Sequence, residues 1–178
     1  MAEAISWLVT QGLLVPDPGQ PSPGFCVPTR RAQGLRTRTD VDAFRKGRIL
    51  PSELLPILFA EKVAPLFRRG DHDIAVFQAF KEIEVAVRNT ANAKGAGYSD
   101  SEVGTPLMRK AFHPDTGPLS DKALVPEERE AEMHLFAAAI GHAKNPTSHR
   151  DVAMTALEAA RLFVFASHLF DIVERRAK

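Results

Sequence analysis

The sequence predicts an all-α protein. From residue 50 onward apolar residues recur at three- and four-residue steps, the alternation of a half-buried strand is absent, and glycine and proline fall where helices begin and end. The expected architecture is a helical bundle of four long helices over residues 50–178, preceded by a small extension over residues 1–49.

The extension opens with "EAISWLVTQGLL", where Ile5, Leu8, Val9 and Leu13 sit at helical spacing and Gly12 lies near the end. Four prolines and two glycines follow in "VPDPGQPSPG" before "FCV", a short β-favouring run. Next comes a basic stretch with Arg30, Arg31, Arg36, Arg38, Arg45, Lys46 and Arg48. Helix, turn-rich loop, strand and basic tail resemble the last third of a winged-helix module. The upstream helices of such a module are absent, so the segment reads as a winged-helix-like remnant or as a small extension packed on the main domain. A basic run of this kind contacts phosphates in a wing; as a plain charge run it is a solvated linker, and that is the expectation here.

The first long helix is expected from "LPSELLPILFAEKVAPLFRRG". Pro56 suits a first turn, Leu58, Phe59, Val63, Leu66 and Phe67 supply the apolar face, and Gly70 stops the helix. Asp71 then starts the second, with Val76, Phe80, Ile83 and Val87 as its stripe and Phe77 and Glu84 on the shoulder. Gly95 and Gly97 end it. A long loop carries one helical turn around Leu107 to Phe112 and then a Pro/Gly-rich excursion, as functional or interface loops do. The third helix opens after Pro126 with acidic residues in its first turn and points Met133, Phe136, Ala137 and Ile140 inward. The fourth is expected from about Asp151 to the C-terminus. Its "LFVFASHLFDIV" is apolar on nearly every side and needs more than one covering neighbour. A dimer interface or the folded-over N-terminal extension would provide it.

The totals exclude several function classes. A net charge of +1 leaves nucleic-acid binding to a local patch rather than to the whole chain. One cysteine, Cys26, forms no internal disulfide and no cysteine metal site, which fits a cytoplasmic protein. No run spans a membrane, and the N-terminus lacks the features of a signal peptide. The histidines are scattered, with no HExxH and no carboxylate cluster at ligand spacing, so neither metal nor cofactor is expected. GxSxG and glycine-rich phosphate loops are also absent.

The stretch "KNPTSHR" joins the third and fourth helices. Lys144 continues the inward stripe of 133, 136, 137 and 140, and Asn145 before Pro146 reads as an N-cap followed by a first helical position. Asn145 and His149 then share a face, and the Asn-Pro break can bring Lys144 beside them. As ordinary punctuation, the lysine satisfies free carbonyls and the histidine is merely hydrogen-bonded.

Together "FRRGDHDIAVFQAFKEIEVAVR", "LMRKAFHPDTGPLSD" and "AIGHAKNPTSHRD" resemble a bacterial family of uncharacterised Ymh-like proteins, usually grouped with the HEPN superfamily. The resemblance covers about residues 50–178 and implies a HEPN-like helical bundle that dimerises. Many HEPN domains are metal-independent ribonucleases of toxin–antitoxin and phage-defence systems. Their motif is an Arg, usually followed by a polar residue, with a His four to six positions beyond. It carries over to Lys144, Asn145 and His149, with lysine in place of the forked guanidinium that grips a phosphate through two parallel bonds. The implied activity is RNA cleavage by 2′-hydroxyl transfer, with Arg150, Arg109, Lys110 and His113 holding the RNA backbone. The implied partners are RNA, a second copy of the chain and an antitoxin protein. The alternative is an inactive module that dimerises or binds nucleic acid or protein. Glu84 could orient the lysine, but an intrahelical pair with Arg88 is the expected role of that carboxylate.

Overall fold

A computed structural model of the chain describes residues 2–20, 24–47, 49–50, 54–144 and 153–178. It divides into two compact units, Met1–Lys46 and Gly47–Lys178.

In the first unit, α1 (Ala2–Thr10) is followed by β1 (Leu14–Pro16) and β2 (Cys26–Pro28), an antiparallel pair with Val15 opposite Val27. The sequence pattern anticipates only the second of these strands. A three-residue "LVP" is too short to show alternation, and its pairing comes from a partner twelve residues away. Gly12, at φ 64°, turns the chain from α1 into β1 in a conformation that costs glycine little. Thr29 then locks the hairpin end: its N–H donates to the Leu13 carbonyl at 3.0 Å and its hydroxyl to that of Gly12 at 2.9 Å. Thr29 also caps α2 (Arg30–Gln33). Of the apolar face expected of α1, Ile5 and Val9 are exposed, Leu8 is half-buried, and Leu13 is buried beyond the helix end.

Much of the basic stretch is helical: α2 carries Arg30 and Arg31, and α3 spans Arg38–Gly47. Its start is a reciprocal cap. Asp40 Oδ2 accepts the N–H groups of Arg36 and Thr37, and the Thr37 hydroxyl accepts that of Asp40. The Thr37 hydrogen bonds hold the Asp40 carboxyl below the usual range. Arg31 lies 5.1 Å over the Phe44 ring, a cation–π contact.

The second unit is an all-α bundle built on α6 (His72–Ala93), with α4 (Ile57–Lys62), α5 (Ala64–Arg69), α7 (Gly104–Ala111), α8 (Pro126–Ala139) and α9 (Ala156–Ala177). Helices α5, α7 and α9 pack on α6, and α7 also packs on α8. The core is aromatic: Phe67 meets Phe163 edge-on at 5.4 Å, Phe59 meets Phe170 at 5.3 Å, and Phe112 stacks on Phe136 at 3.9 Å. Fully burying one such ring stabilises by about 2 to 3 kcal/mol.

Two of the four long helices expected from sequence are changed. The first is broken at Val63 into two six-residue helices, because Pro65 has no N–H for the Glu61 carbonyl and its ring crowds that group. Gly70, at φ 98°, closes α5 as expected. The last begins at Ala156 rather than near Asp151. Thr155 is its N-cap and Glu158 returns the bond in a capping box, which stops the helix from extending backward. The excursion after α7 is firmly packed. Three donors converge on the Pro114 carbonyl: the Ser120 hydroxyl at 2.9 Å, Lys122 at 2.8 Å and Arg129 at 2.5 Å. Among the described residues no helix is long and apolar enough to cross a membrane.

Candidate functional site

Helix α8 does not end as an α-helix. Its last turn, Ile140–Lys144, is π-helical, a rare widened turn in which the hydrogen bond reaches one residue further and which recurs at functional sites. Ile140 is fully buried, and Lys144 follows it into the interior with only 14% of its side chain exposed. The lysine lies where the inward stripe of 133, 136, 137 and 140 leads.

There it meets Glu84, whose side chain is 5% exposed on α6. Lys144 Nζ donates to both carboxylate oxygens, at 2.9 Å to Oε1 and 3.0 Å to Oε2, and lies 6.0 Å from the Phe77 ring centroid. Glu84 Oε2 also accepts the Gly104 N–H at 2.6 Å. Gly104 opens α7 at φ 69°, and Val103 before it supplies no side-chain cap. A carboxylate from a neighbouring helix thus serves a free N–H at the start of α7. One buried acid joins α6, α7 and the π turn.

The chain returns to α6 at its other end. His72 Nδ1 donates to the Met154 carbonyl at 3.1 Å, and the ring leans on Phe67 at 5.1 Å. Lys144 and Met154, which flank the segment 145–152, are therefore both tied to one helix, through residues about 18 Å apart along it at 1.5 Å per residue. Met154 also lines an open groove of about 330 Å³ with His142, Arg161 and Leu162.

Asn145, His149 and Arg150 lie outside the described residues, as does the Asn145-Pro146 helix start expected from sequence. Arg109 and Lys110 stand on the far end of α7 from Gly104, both exposed. Lys110 is paired with Glu102 and sits 4.4 Å over the Tyr98 ring. This hydrogen bond holds the Glu102 carboxyl below its usual range and raises the Lys110 ammonium. Arg109 makes no ion pair among the described residues. His113 is exposed, and its Nδ1 accepts the N–H groups of Asp115 and Thr116, both at 3.3 Å, so the proton of the neutral ring sits on Nε2. Among the described residues no three His, Cys, Asp or Glu side chains are grouped to hold a metal ion.

The residue that sequence reasoning undervalued is Glu84. The expected intrahelical pair with Arg88 does not form. Arg88 instead donates to the Glu102 carbonyl at 3.1 Å and pairs with Asp100 at 3.5 Å, while Glu84 turns inward to Lys144. The signal was present as a carboxylate beside the apolar stripe of one helix and a lysine on the inward stripe of another. A buried charge needs a partner, and these two were the candidates for each other.

Comparison with curated proteins and with solved structures found no match in either. A family model described as "Protein of unknown function (Hypoth_ymh)" matches residues 58–173, which takes in α4 through most of α9, the Glu84–Lys144 pair and the segment between the two anchors. The chain belongs to the Hypoth_ymh family.

Proposed function

We propose that the second unit is a metal-independent ribonuclease of the HEPN type, with Lys144, Asn145 and His149 as its reacting set and Glu84 as a positioning residue. The observation that carries this is the buried Glu84–Lys144 pair at a π turn. A buried ion pair is a poor source of stability, since apolar residues of similar volume do as well or better. Its presence directly before Asn145 and His149 fits a lysine held for chemistry.

In the proposed reaction His149 takes the proton from a ribose 2′-hydroxyl, whose oxygen attacks the adjacent phosphorus. The bond from phosphorus to the 5′-oxygen breaks, that oxygen takes a proton from solvent water as it leaves, and the His149 imidazolium returns its proton to solvent. The products are a 2′,3′-cyclic phosphate and a free 5′-hydroxyl. Lys144 and Asn145 donate hydrogen bonds to the phosphate oxygens as charge gathers there. The groove beside Met154, at about 330 Å³, has the volume of a small ligand site and is the candidate place for a nucleotide. Arg150, Arg109, Lys110 and His113 are the candidates for backbone contacts. From the HEPN likeness we infer a toxin–antitoxin or phage-defence setting, with an antitoxin as protein partner and a homodimer as the working form.

A second reading is a module that binds RNA or protein without cutting. It is favoured by the hydrogen bonds that Lys144 donates to both Glu84 oxygens and by lysine standing where the motif has arginine.

End-labelled single-stranded RNA incubated with the protein and a chelator separates the two. Cleavage leaving cyclic phosphate ends, abolished in His149→Ala, reduced in Glu84→Gln and retained in Lys144→Arg, is the expected result. Intact RNA with wild type and Lys144→Arg alike, with binding retained in His149→Ala, establishes the second reading instead.

A further inference from the structure

The groove between the π turn and the start of α9 carries an arginine. His142 borders it from the π turn, two positions before Lys144, while Met154, Glu158, Arg161 and Leu162 border it from the first turns of α9 and the residue before its cap. Arg161 is exposed, and among the described residues it makes no hydrogen bond or ion pair. Glu158, one turn before it on the same helix, stands where an ion pair would form. That carboxylate is turned backward instead. Its Oε2 accepts the Thr155 N–H at 2.8 Å and the Thr155 hydroxyl at 2.6 Å, as half of the capping box. The Thr155 hydrogen bonds are the first cause of the lowered Glu158 carboxyl and the Arg161 charge the least. The cap thus occupies the acid and leaves the guanidinium at the groove.

The chemistry of the groove suits a nucleotide. A guanidinium presents N–H donors in a planar fork that matches two phosphate oxygens. Met154 and Leu162 offer apolar side chains, one of them a polarizable thioether, to the flat face of a base. Glu158 Oε1 accepts no hydrogen bond among the described residues. Its charge repels a bare anion, whereas a nucleotide brings the N–H groups of its base edge at the end away from the phosphate. The fork also answers a deficit at Lys144. That ammonium is a point charge and already donates to both Glu84 oxygens, at 2.9 and 3.0 Å. The two-bond grip of a motif arginine is therefore missing at its own position, and Arg161, on the groove that adjoins the same turn, supplies one.

We propose that Arg161 is a substrate-binding residue whose fork grips a backbone phosphate of single-stranded RNA, with the adjoining base on Met154 and Leu162. The identity of the ligand rests on the ribonuclease reading; the residue and its place in the groove are additional to the contacts expected from sequence. Arg175 provides a control within the same helix. It is exposed and makes no hydrogen bond or ion pair among the described residues. It lies fourteen positions and about 21 Å further along α9, within about 40° of the same face.

Fluorescence anisotropy on the full chain tests it, with end-labelled single-stranded RNA carrying 2′-fluoro sugars, which lack the attacking hydroxyl. Arg161→Ala is expected to weaken binding about tenfold or more, as loss of charge-assisted hydrogen bonds does. The slope of log Kd against log salt is expected to fall by about 0.7, the contribution of one phosphate contact on a single strand. Arg175→Ala removes the same charge and is expected to stay within about twofold of wild type. Arg161→Lys keeps the charge and loses the fork, so its affinity is expected between those of wild type and Arg161→Ala. Both positions are exposed, and a native helical spectrum is expected in each variant. A wild type that binds no RNA, an Arg161→Ala that binds no worse than Arg175→Ala or keeps the wild-type salt slope, or an Arg161→Lys equal to wild type would each overturn the proposal. Cleavage is read separately, on ordinary RNA. A wild type that cuts, with Arg161→Ala binding undiminished, removes the role of Arg161 and leaves the ribonuclease reading standing. Binding that depends on Arg161 without any cleavage keeps Arg161 in its role and removes the ribonuclease reading.

Discussion

Replacing Lys144 by Met tests whether the Glu84–Lys144 pair holds the second unit together at this point. The substitution keeps the length of the side chain and removes the ammonium that donates to both Glu84 oxygens at 2.9 and 3.0 Å. Glu84 is then left 5% exposed, with the Gly104 N–H as its remaining hydrogen-bond partner among the described residues. Breaking a buried pair from one side costs about 3 to 5 kcal/mol, because the charge left behind is uncompensated. For a chain of this size about 3 kcal/mol lowers Tm by roughly 6 to 12 °C. Glu84→Leu is expected to cost a similar amount, since it removes the carboxylate to which both the Lys144 ammonium and the Gly104 N–H donate. In the double variant both charges are gone, and the remaining penalty is the unpaired Gly104 N–H, about 1 to 3 kcal/mol. The cycle therefore predicts a favourable coupling of about 2 kcal/mol or more. Far-UV circular dichroism during urea unfolding is the suitable readout, because the single tryptophan, Trp7, lies in the first unit and reports on that unit. Two single variants that each cost under about 1 kcal/mol and add without coupling would refute the reasoning.

Gly117→Ala is expected to destabilise the packed loop by about 1 to 3 kcal/mol, since a Cβ there meets the His113 nitrogen at 2.4 Å and the Ala111 carbonyl at 2.6 Å, both backbone atoms. Chemical denaturation measures it, and wild-type stability in the variant would show that the loop is free to shift. Thr155→Ala removes the N-cap of α9 and is expected to cost about 1 kcal/mol at neutral pH. The Thr155 hydroxyl and N–H also hold the Glu158 carboxyl below its ordinary value of 4.5. A carboxylate depressed in the folded state contributes its stability above the unfolded value and loses it as pH falls through the folded one. Stability curves from pH 7 to pH 3 are thus expected to converge for wild type and Thr155→Ala at the acid end; a constant gap across that range would remove Glu158 from the cap.

Much of the second unit is legible in the sequence because a helix writes its burial into its own spacing. Val76, Phe80, Ile83 and Val87 announce α6, and Met133, Phe136, Ala137 and Ile140 announce α8, whatever they pack against. Stop signals are equally local. Gly70 ends α5 in the left-handed conformation that its sequence position suggests. Strong periodicity also conceals local breaks. The apolar stripe runs unbroken past Val63, yet Pro65 divides it, and the fourth helix loses its expected first turn to a threonine and glutamate that cap one another.

By itself the sequence determined that residues from the mid-fifties onward form helices with one apolar face each, that Lys144 lies on the inward face of the third, and that α9 carries more apolar surface than one neighbour covers. These follow from interactions within four residues, which spacing records. Only the tertiary structure decided that Glu84 abandons Arg88, four residues away, for Lys144, sixty residues away, and that the same carboxylate serves the start of α7. Whether a charge near an apolar stripe turns outward to water or inward to a partner depends on which helices meet there. A one-dimensional pattern holds the two candidates; their choice of each other is made by packing.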